Sequence, residues 1–168
     1  SALQMGNLKQ ECINALLKKR VTALAYEFIE DKVGSMPIVR AMSEIAGSTV
    51  MLIAAEYLST VNKGKGIILG GITGVPPTKV VIIGAGTVAE YAARAALSLG
   101  AEIQVFDNHL YKLRRIKHTL GHQFYTSTID TITLSESLQN ADVVIGALRA
   151  EKGKVRHVVS EEMVKKMK

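Results

Sequence analysis

The chain has little of several things that would give a protein its chemistry. It carries one cysteine, Cys12, no tryptophan and three prolines in 168 residues. A lone cysteine excludes an internal disulfide framework, and no cysteine and histidine cluster has zinc spacing. A reduced, cytoplasmic setting without a metal is therefore expected. Aromatic residues make up 5% of the chain, too few to stack on bases, and the basic residues are scattered. The formal charge of +6 thus reads as a basic surface and not as a nucleic-acid groove. The densest basic patch, YKLRRIKH at 111–118, is interleaved with Leu110, Leu113, Ile116 and Leu120 at helical spacing, which leaves its charges on a solvated face. Long hydrophobic runs are also missing. The longest, 45–55, is bounded by Glu44 and Glu56 and falls short of the roughly 20 residues a membrane helix needs. A core helix and no membrane span are expected, and the first residues show no cleavable leader pattern.

What is present is the length of one domain. Residues 7–19 read as a helix and VTALAYE at 21–27 as a strand, followed by a break at Gly34, Ser35 and Pro37 that separates 1–37 from 38–168. A long helix is expected from Ser43, whose hydroxyl can cap it, to about Ser59. Its small residues, Gly47 among them, permit close packing. Residues 62–78, rich in glycine and holding Pro76 and Pro77, read as a connection with room for a short strand. Strands at 80–83, 102–106, 123–126 and 142–146 then alternate with helices at 87–99, 110–120 and 134–139. That alternation predicts an α/β fold, a three-layer, Rossmann-like, doubly wound parallel sheet. Gly100 and Gly121 should stop helices, Thr133 with Glu136 should form a capping box, VRHVV at 155–159 should be a fifth extended segment, and Ser160 should cap a last helix. With no strand after it to complete a sheet of six, a truncated C-terminus is expected.

The stretch VVIIGAGTVAEYAARAALSLGAEIQVFD, residues 80–107, places Gly84, Gly86 and Ala89 in the pattern G-x-G-x-x-G/A directly after a strand and before a helix. Gly84 can make the tight turn, Gly86 lets backbone amides approach a pyrophosphate, and the small Ala89 lets helix and strand pack closely. The helix start at Thr87 and Val88 offers unpaired N–H groups and a partial positive charge. Glycine turns of this kind need bind nothing, but here the second strand ends on Asp107, about 20 residues further on, where a carboxylate can accept both hydroxyls of an adenosine ribose. The whole arrangement points to a dinucleotide, and the carboxylate would repel a 2′-phosphate, so NAD is favoured over NADP. Lys112, Arg114 or Arg115 are the groups able to neutralise such a phosphate. Gly146, Ala147 and Leu148 at the end of the fourth strand can lie along the nicotinamide ribose, and the hydroxyls of residues 125–128 can reach the adenosine.

No catalytic set accompanies this motif. His109, His118, His122 and His157 lie in or beside basic, exposed segments, Cys12 sits among apolar helix residues, and no serine has a G-x-S-x-G context. A dehydrogenase also needs groups that hold substrate and move its proton, and these come from outside the nucleotide-binding sheet. The residues alone therefore imply a cofactor-binding domain that belongs with something larger.

Three blocks carry a resemblance: AYEFIEDKVGSMPIVRAMSEIAGSTVMLIAAEYL, GIILGGITGVPPTKVVIIGAGTVAEYAARAALSLGAEIQVFD and ADVVIGAL. Together they resemble the cofactor-binding part of the alanine dehydrogenase family, shared with the NAD-binding component of nicotinamide nucleotide transhydrogenase. MSEIAG at 42–47 and GGITGVPPTKVVIIGAG at 70–86 are the most specific segments. The resemblance implies NAD contacts at Ser43 on the pyrophosphate, at Thr87 and Val88, at Asp107 on the adenosine ribose, at Lys112 and Ser127, and along the backbone of Ala147 and Leu148. It also implies a parent reaction, the oxidation of L-alanine with water to pyruvate and ammonia, by a larger homo-oligomer. The groups that grip and protonate the substrate would come from sequence outside this chain, and 1–37 would be the tail of the substrate domain plus a hinge. The transhydrogenase component, or a non-catalytic regulatory module that responds to NAD, are the competing readings.

Overall fold

Four β-branched residues in succession, Val80, Val81, Ile82 and Ile83, suit a strand buried on both faces, and Lys79–Ile83 forms β1 at the middle of a parallel sheet. The computed structural model describes residues 2–3, 8–149 and 157–167. Among these, β2 (Glu102–Phe106), β3 (Tyr125–Ser127) and β4 (Val143–Gly146) complete a four-stranded sheet in the order β3-β2-β1-β4. Two compact units divide the chain, Ser1–Ser43 and Glu44–Lys168.

In the second unit, alternation along the strands separates two cores. Val80, Ile82, Ile103, Val105, Val143 and Ile145 point to one face and pack with Met51, Leu58, Leu113, Ile116 and an alanine row, Ala89, Ala92, Ala93 and Ala96. These come from the long helix α2 (Pro37–Leu58), from α3 (Thr87–Ser98) and from α4 (Leu110–Leu120). Val81, Ile83 and Phe106 point to the other face against Leu134 and Leu138 of α5 (Thr131–Gln139) and Met163 of α6 (Glu161–Lys165). Helices on both faces of a parallel sheet are the three-layer arrangement expected. Gly121 ends α4 at φ 64° and Gly100 follows α3, both as predicted, and Ser160 caps α6 by accepting from the Met163 N–H.

Several boundaries differ from expectation. The predicted capping box at Thr133 does not form, because Asp130 accepts from the Ile132 and Thr133 N–H groups and starts α5 earlier. The third strand lies at Tyr125–Ser127 and not 123–126. The connection 62–78 holds only an isolated antiparallel bridge between Ile72 and Val75. Residues 155–156 of the expected extended segment lie outside the described residues, and 157–159 are not strand.

The largest correction concerns α2. It begins at Pro37 and not at Ser43, because proline at a first helical position costs no hydrogen bond and has the right φ. Ser43 is then interior, and its hydroxyl donates to the Val39 carbonyl at 2.9 Å instead of capping. The earlier start also makes α2 22 residues long, and an 18-residue stretch of it has a mean hydropathy of 1.4, enough by length and composition to cross a membrane, which the run 45–55 alone is not. Within the second unit its Gly47, Met51 and Leu58 are buried, while Ile45, Leu52, Ile53 and Tyr57 are exposed.

The first unit contains an amphipathic α1 (Gln10–Lys18) and, where a strand was expected at 21–27, irregular chain with a short 3-10 turn at Tyr26–Phe28. This segment forms no strand or bridge among the described residues, although the Leu3 N–H donates to the Glu27 carboxylate at 2.8 Å. Residues 31–35 are ordered locally by Asp31, whose carboxylate accepts from the Val33 and Ser35 N–H groups.

Gly47 is where α2 meets α3: a Cβ built there would lie 2.5 Å from the Val88 carbonyl oxygen and 2.7 Å from the Tyr91 Cβ. Gly47→Val is expected to cost about 1–3 kcal/mol by overpacking. Urea unfolding checks this, with Ser48→Ala, on the exposed side, expected to change stability by less than about 0.5 kcal/mol.

Candidate functional site

Register brings the candidate residues together. Ile83 is level with Phe106 on β2 and with Gly146 on β4, so the chain leaves all three strands at one edge of the sheet. Gly84 follows β1 at φ 115°, a conformation that side chains disfavour, and an added Cβ would lie 2.5 Å from the Ala147 carbonyl oxygen. Its N–H donates to the Phe106 carbonyl at 2.6 Å, and the Ala147 N–H donates to the Ile83 carbonyl at 2.8 Å. Gly86 then begins α3 without a side-chain cap, leaving the N–H groups of Thr87, Val88 and Ala89 without intrahelical acceptors. Ala89 is fully buried against the sheet. Gly86 and Gly146 have open space where a Cβ would stand, so this edge offers a cradle lined by backbone.

Asp107 follows β2 and is 3% exposed. Its Oδ2 accepts the Ala85 N–H at 2.8 Å, and its Oδ1 accepts both the His109 N–H at 2.8 Å and the His109 Nδ1–H at 2.9 Å. Burial pushes the Asp107 carboxyl up, but the two His109 bonds, the Ala85 N–H and the Lys112 ammonium together bring it below its ordinary value of 3.8. The site therefore holds a carboxylate. Its main-chain N–H donates to the Ser127 carbonyl at 3.2 Å, which sets Ser127 beside it at the end of β3. Lys112 is half-buried on the first turn of α4, and Ala147 and Leu148 follow β4 beside Gly84. Ser43 belongs to the first unit.

Three contacts at the candidate site have no signal in the sequence. His109, read as a surface histidine, has a half-exposed ring that nonetheless bonds to the buried Asp107. Arg115, read as a possible partner for a 2′-phosphate, is committed elsewhere: its guanidinium contacts Glu90 at 2.6 Å and donates to the Ala85 carbonyl at 3.1 Å. Glu90 is itself buried on α3. A glutamate and an arginine 25 residues apart give no local signal, and only the placement of α4 beside α3 joins them. Asn108 accepts the Ile129 N–H at 3.0 Å and ties the β3 loop to this edge. A separate cleft of about 460 Å³ between α2 and β4 includes Asp142 and Val143, at the opposite end of β4 from Gly146.

The family described as alanine dehydrogenase/PNT, C-terminal domain, matches residues 50–168. The alanine dehydrogenase of Mycolicibacterium smegmatis is 37% identical over 157 residues, covering 94% of this chain and 42% of the relative. That of Staphylococcus epidermidis is 36% identical over 166 residues, covering 99% of this chain and 44% of the relative. This chain thus spans about two-fifths of the length of these relatives. A solved L-alanine dehydrogenase superposes with a TM-score of 0.88 at 32% identity, over 95% of this chain and 44% of that one. A transhydrogenase from Sinorhizobium meliloti superposes at 0.77 with 23% identity over 97% of this chain and 47% of that one, a likeness of fold.

The Asp107 carboxyl holds its proton less tightly in the folded chain than in the unfolded one. Its contribution to stability is fully present above the unfolded value near 3.8 and is lost as pH falls through the lower, folded value. Asp107→Asn is expected to cost roughly 1–3 kcal/mol at neutral pH, because an amide cannot accept all three hydrogen bonds. Chemical denaturation across pH should show the gap between the two proteins closing below about pH 4.

Proposed function

Because the chain belongs to the alanine dehydrogenase/PNT C-terminal domain family, we propose that it is the NAD-binding domain of an alanine dehydrogenase. The carrying observation is a buried carboxylate, Asp107, hydrogen-bonded to the glycine turn that opens α3. In this reading the pyrophosphate sits against Gly84 and Gly86 and accepts from the amides of Thr87, Val88 and Ala89, at the positive end of the α3 dipole. The open space at Gly86 fits that group.

The ribose diol goes to Asp107. A carboxylate offers about four acceptor directions, and Ala85 with the two His109 donors fills three of them. Accepting two hydroxyls therefore displaces the His109 imidazole, which its half-exposed position allows. Lys112 and Ser127 flank the adenosine end. The backbone of Ala147 and Leu148 lines the nicotinamide end at the β1 and β4 switch point, where open α/β sheets bind ligands. Ser43 is assigned to the pyrophosphate by the family resemblance alone.

Bound there, NAD supplies a hydride acceptor. The parent reaction under this proposal oxidises L-alanine with water to pyruvate and ammonia in a cytoplasmic homo-oligomer. This chain contributes binding and orientation; the substrate clamp and the acid–base groups come from sequence outside it, with residues 1–37 as the tail of the substrate domain and a hinge. The transhydrogenase alternative and the regulatory alternative have no site observation of their own in their favour.

Calorimetric titration tests the reading. The 168-residue chain is expected to bind NAD saturably and NADP more weakly, and to turn over no alanine. Asp107→Ala is expected to weaken NAD by about tenfold and NADP by less, since the lost bonds are to the ribose hydroxyls. An unchanged preference between the two would place the ribose elsewhere.

A further inference from the structure

We infer that Arg115 is a positioning residue for the phosphate-binding turn, holding one peptide of that turn in the orientation that presents its N–H to the cofactor. The inference rests on the dinucleotide reading of the turn given above. It concerns the Ala85–Gly86 peptide, whose carbonyl accepts from Arg115 Nη2 at 3.1 Å. In a planar trans peptide the C=O and the N–H point in opposite directions. Fixing the Ala85 carbonyl toward α4 therefore aims the Gly86 N–H away from Arg115; a Cβ built on Gly86 meets no neighbour within 4 Å, so the turn is open beside its Cα.

The peptide needs such a hold because glycine flanks Ala85 on both sides, and glycine restrains φ and ψ least. Ala85 is instead held from two directions by side chains. Asp107 takes its N–H at 2.8 Å, and Arg115 takes its carbonyl. Arg115 is itself anchored: its Nη1 lies 2.6 Å from Glu90 Oε2, on the first turn of α3, and Glu90 is 8% exposed. Arg94, one turn along α3, reaches the other Glu90 oxygen at 3.5 Å and also lies over the Tyr91 ring. The glycine turn, the start of α3 and the middle of α4 are thus joined through one guanidinium. A planar fork with several donors can serve a carboxylate and a carbonyl at once, whereas a lysine ammonium is a point charge on a flexible stem.

This geometry differs from that of a phosphate-binding arginine. Glu90 neutralises Arg115, and the carbonyl it holds belongs to the chain itself. The two roles predict opposite responses to loss of Glu90. A phosphate ligand released from its carboxylate would bind NAD more tightly; a positioning residue released from its anchor binds it less well.

The experiment is an NMR titration of the isotope-labelled 168-residue chain with NAD and, separately, with adenosine, which has the ribose but no pyrophosphate. Arg115→Met, which keeps the stem and removes both bonds, is expected to raise the NAD dissociation constant on the order of tenfold. Adenosine affinity should stay within about twofold, because the Asp107 end is untouched. Glu90→Gln is expected to weaken NAD by about threefold, and the Gly86 amide resonance to shift or double in both variants. NAD affinity unchanged in Arg115→Met would overturn the inference, as would an equal loss for NAD and adenosine or tighter NAD binding by Glu90→Gln. Failure of the unsubstituted chain to bind NAD would instead remove the cofactor reading itself, and the inference with it.

Discussion

The bond from the Ala85 N–H to Asp107 Oδ2 spans neighbouring strands, at 2.8 Å and out of reach of water. Much of the candidate site depends on it. A buried carboxylate must be compensated by donors or it neutralises, and here the donors are the glycine turn, the backbone and ring of His109, and the field of Lys112. Satisfying the charge thus draws the end of β1 and the start of α4 to one place. The same requirement fixes the crevice: with Gly84 bonded to Phe106 and Ala147 bonded to Ile83, the exits of β1, β2 and β4 have little freedom to move apart.

Close approach of the helices supports that arrangement from below. The buried face of α3 is almost entirely alanine, and Gly47 of α2 sits against the Val88 carbonyl and the Tyr91 Cβ. Alanine contributes little apolar area, so α3 gains less from burial than a leucine face would, at about 25 cal/mol per Å². What small residues permit is distance: α3 lies near enough to the sheet for its first amides to follow directly from the glycine turn. Larger core residues, Ile82, Ile103, Phe106, Leu134 and Leu138, lie on the strands and on α5 and supply the bulk of the packing.

The parts of this design that were legible in the sequence are the ones encoded locally. β-Branched runs gave the strands, the glycine pattern gave the turn, and glycines after α3 and α4 gave their stops. Asp107 was legible because its distance from the glycines is set by one helix and one strand. What was hidden depended on competition or on contacts between elements. Ser43 and Thr133 are both good capping residues, yet Pro37 and Asp130 lie upstream and start their helices first. VTALAYE has the composition of a strand, but strand formation depends on a partner that the local pattern does not specify. Glu90 and Arg115 belong to no motif, and their contact exists only once α3 and α4 lie side by side; His109 reaches Asp107 only two residues away, but no pattern in the sequence marks that bond.

Nearly all groups proposed to face the pyrophosphate are backbone amides, so side-chain truncation at Thr87 or Val88 removes little of what binds. Asp107 is different, since one carboxylate contributes both to folding, through Ala85 and His109, and to recognition, through the ribose. Lost affinity on replacing it mixes the two effects, and the size of the mixture depends on pH: as acid protonates the carboxylate, both contributions fade together. Specificity separates them. Loss of folding stability acts through the population of competent protein and lowers NAD and NADP affinity by one common factor, whereas loss of a ribose contact changes their ratio. The ratio, and not either affinity, is therefore the quantity that reports on recognition at this site.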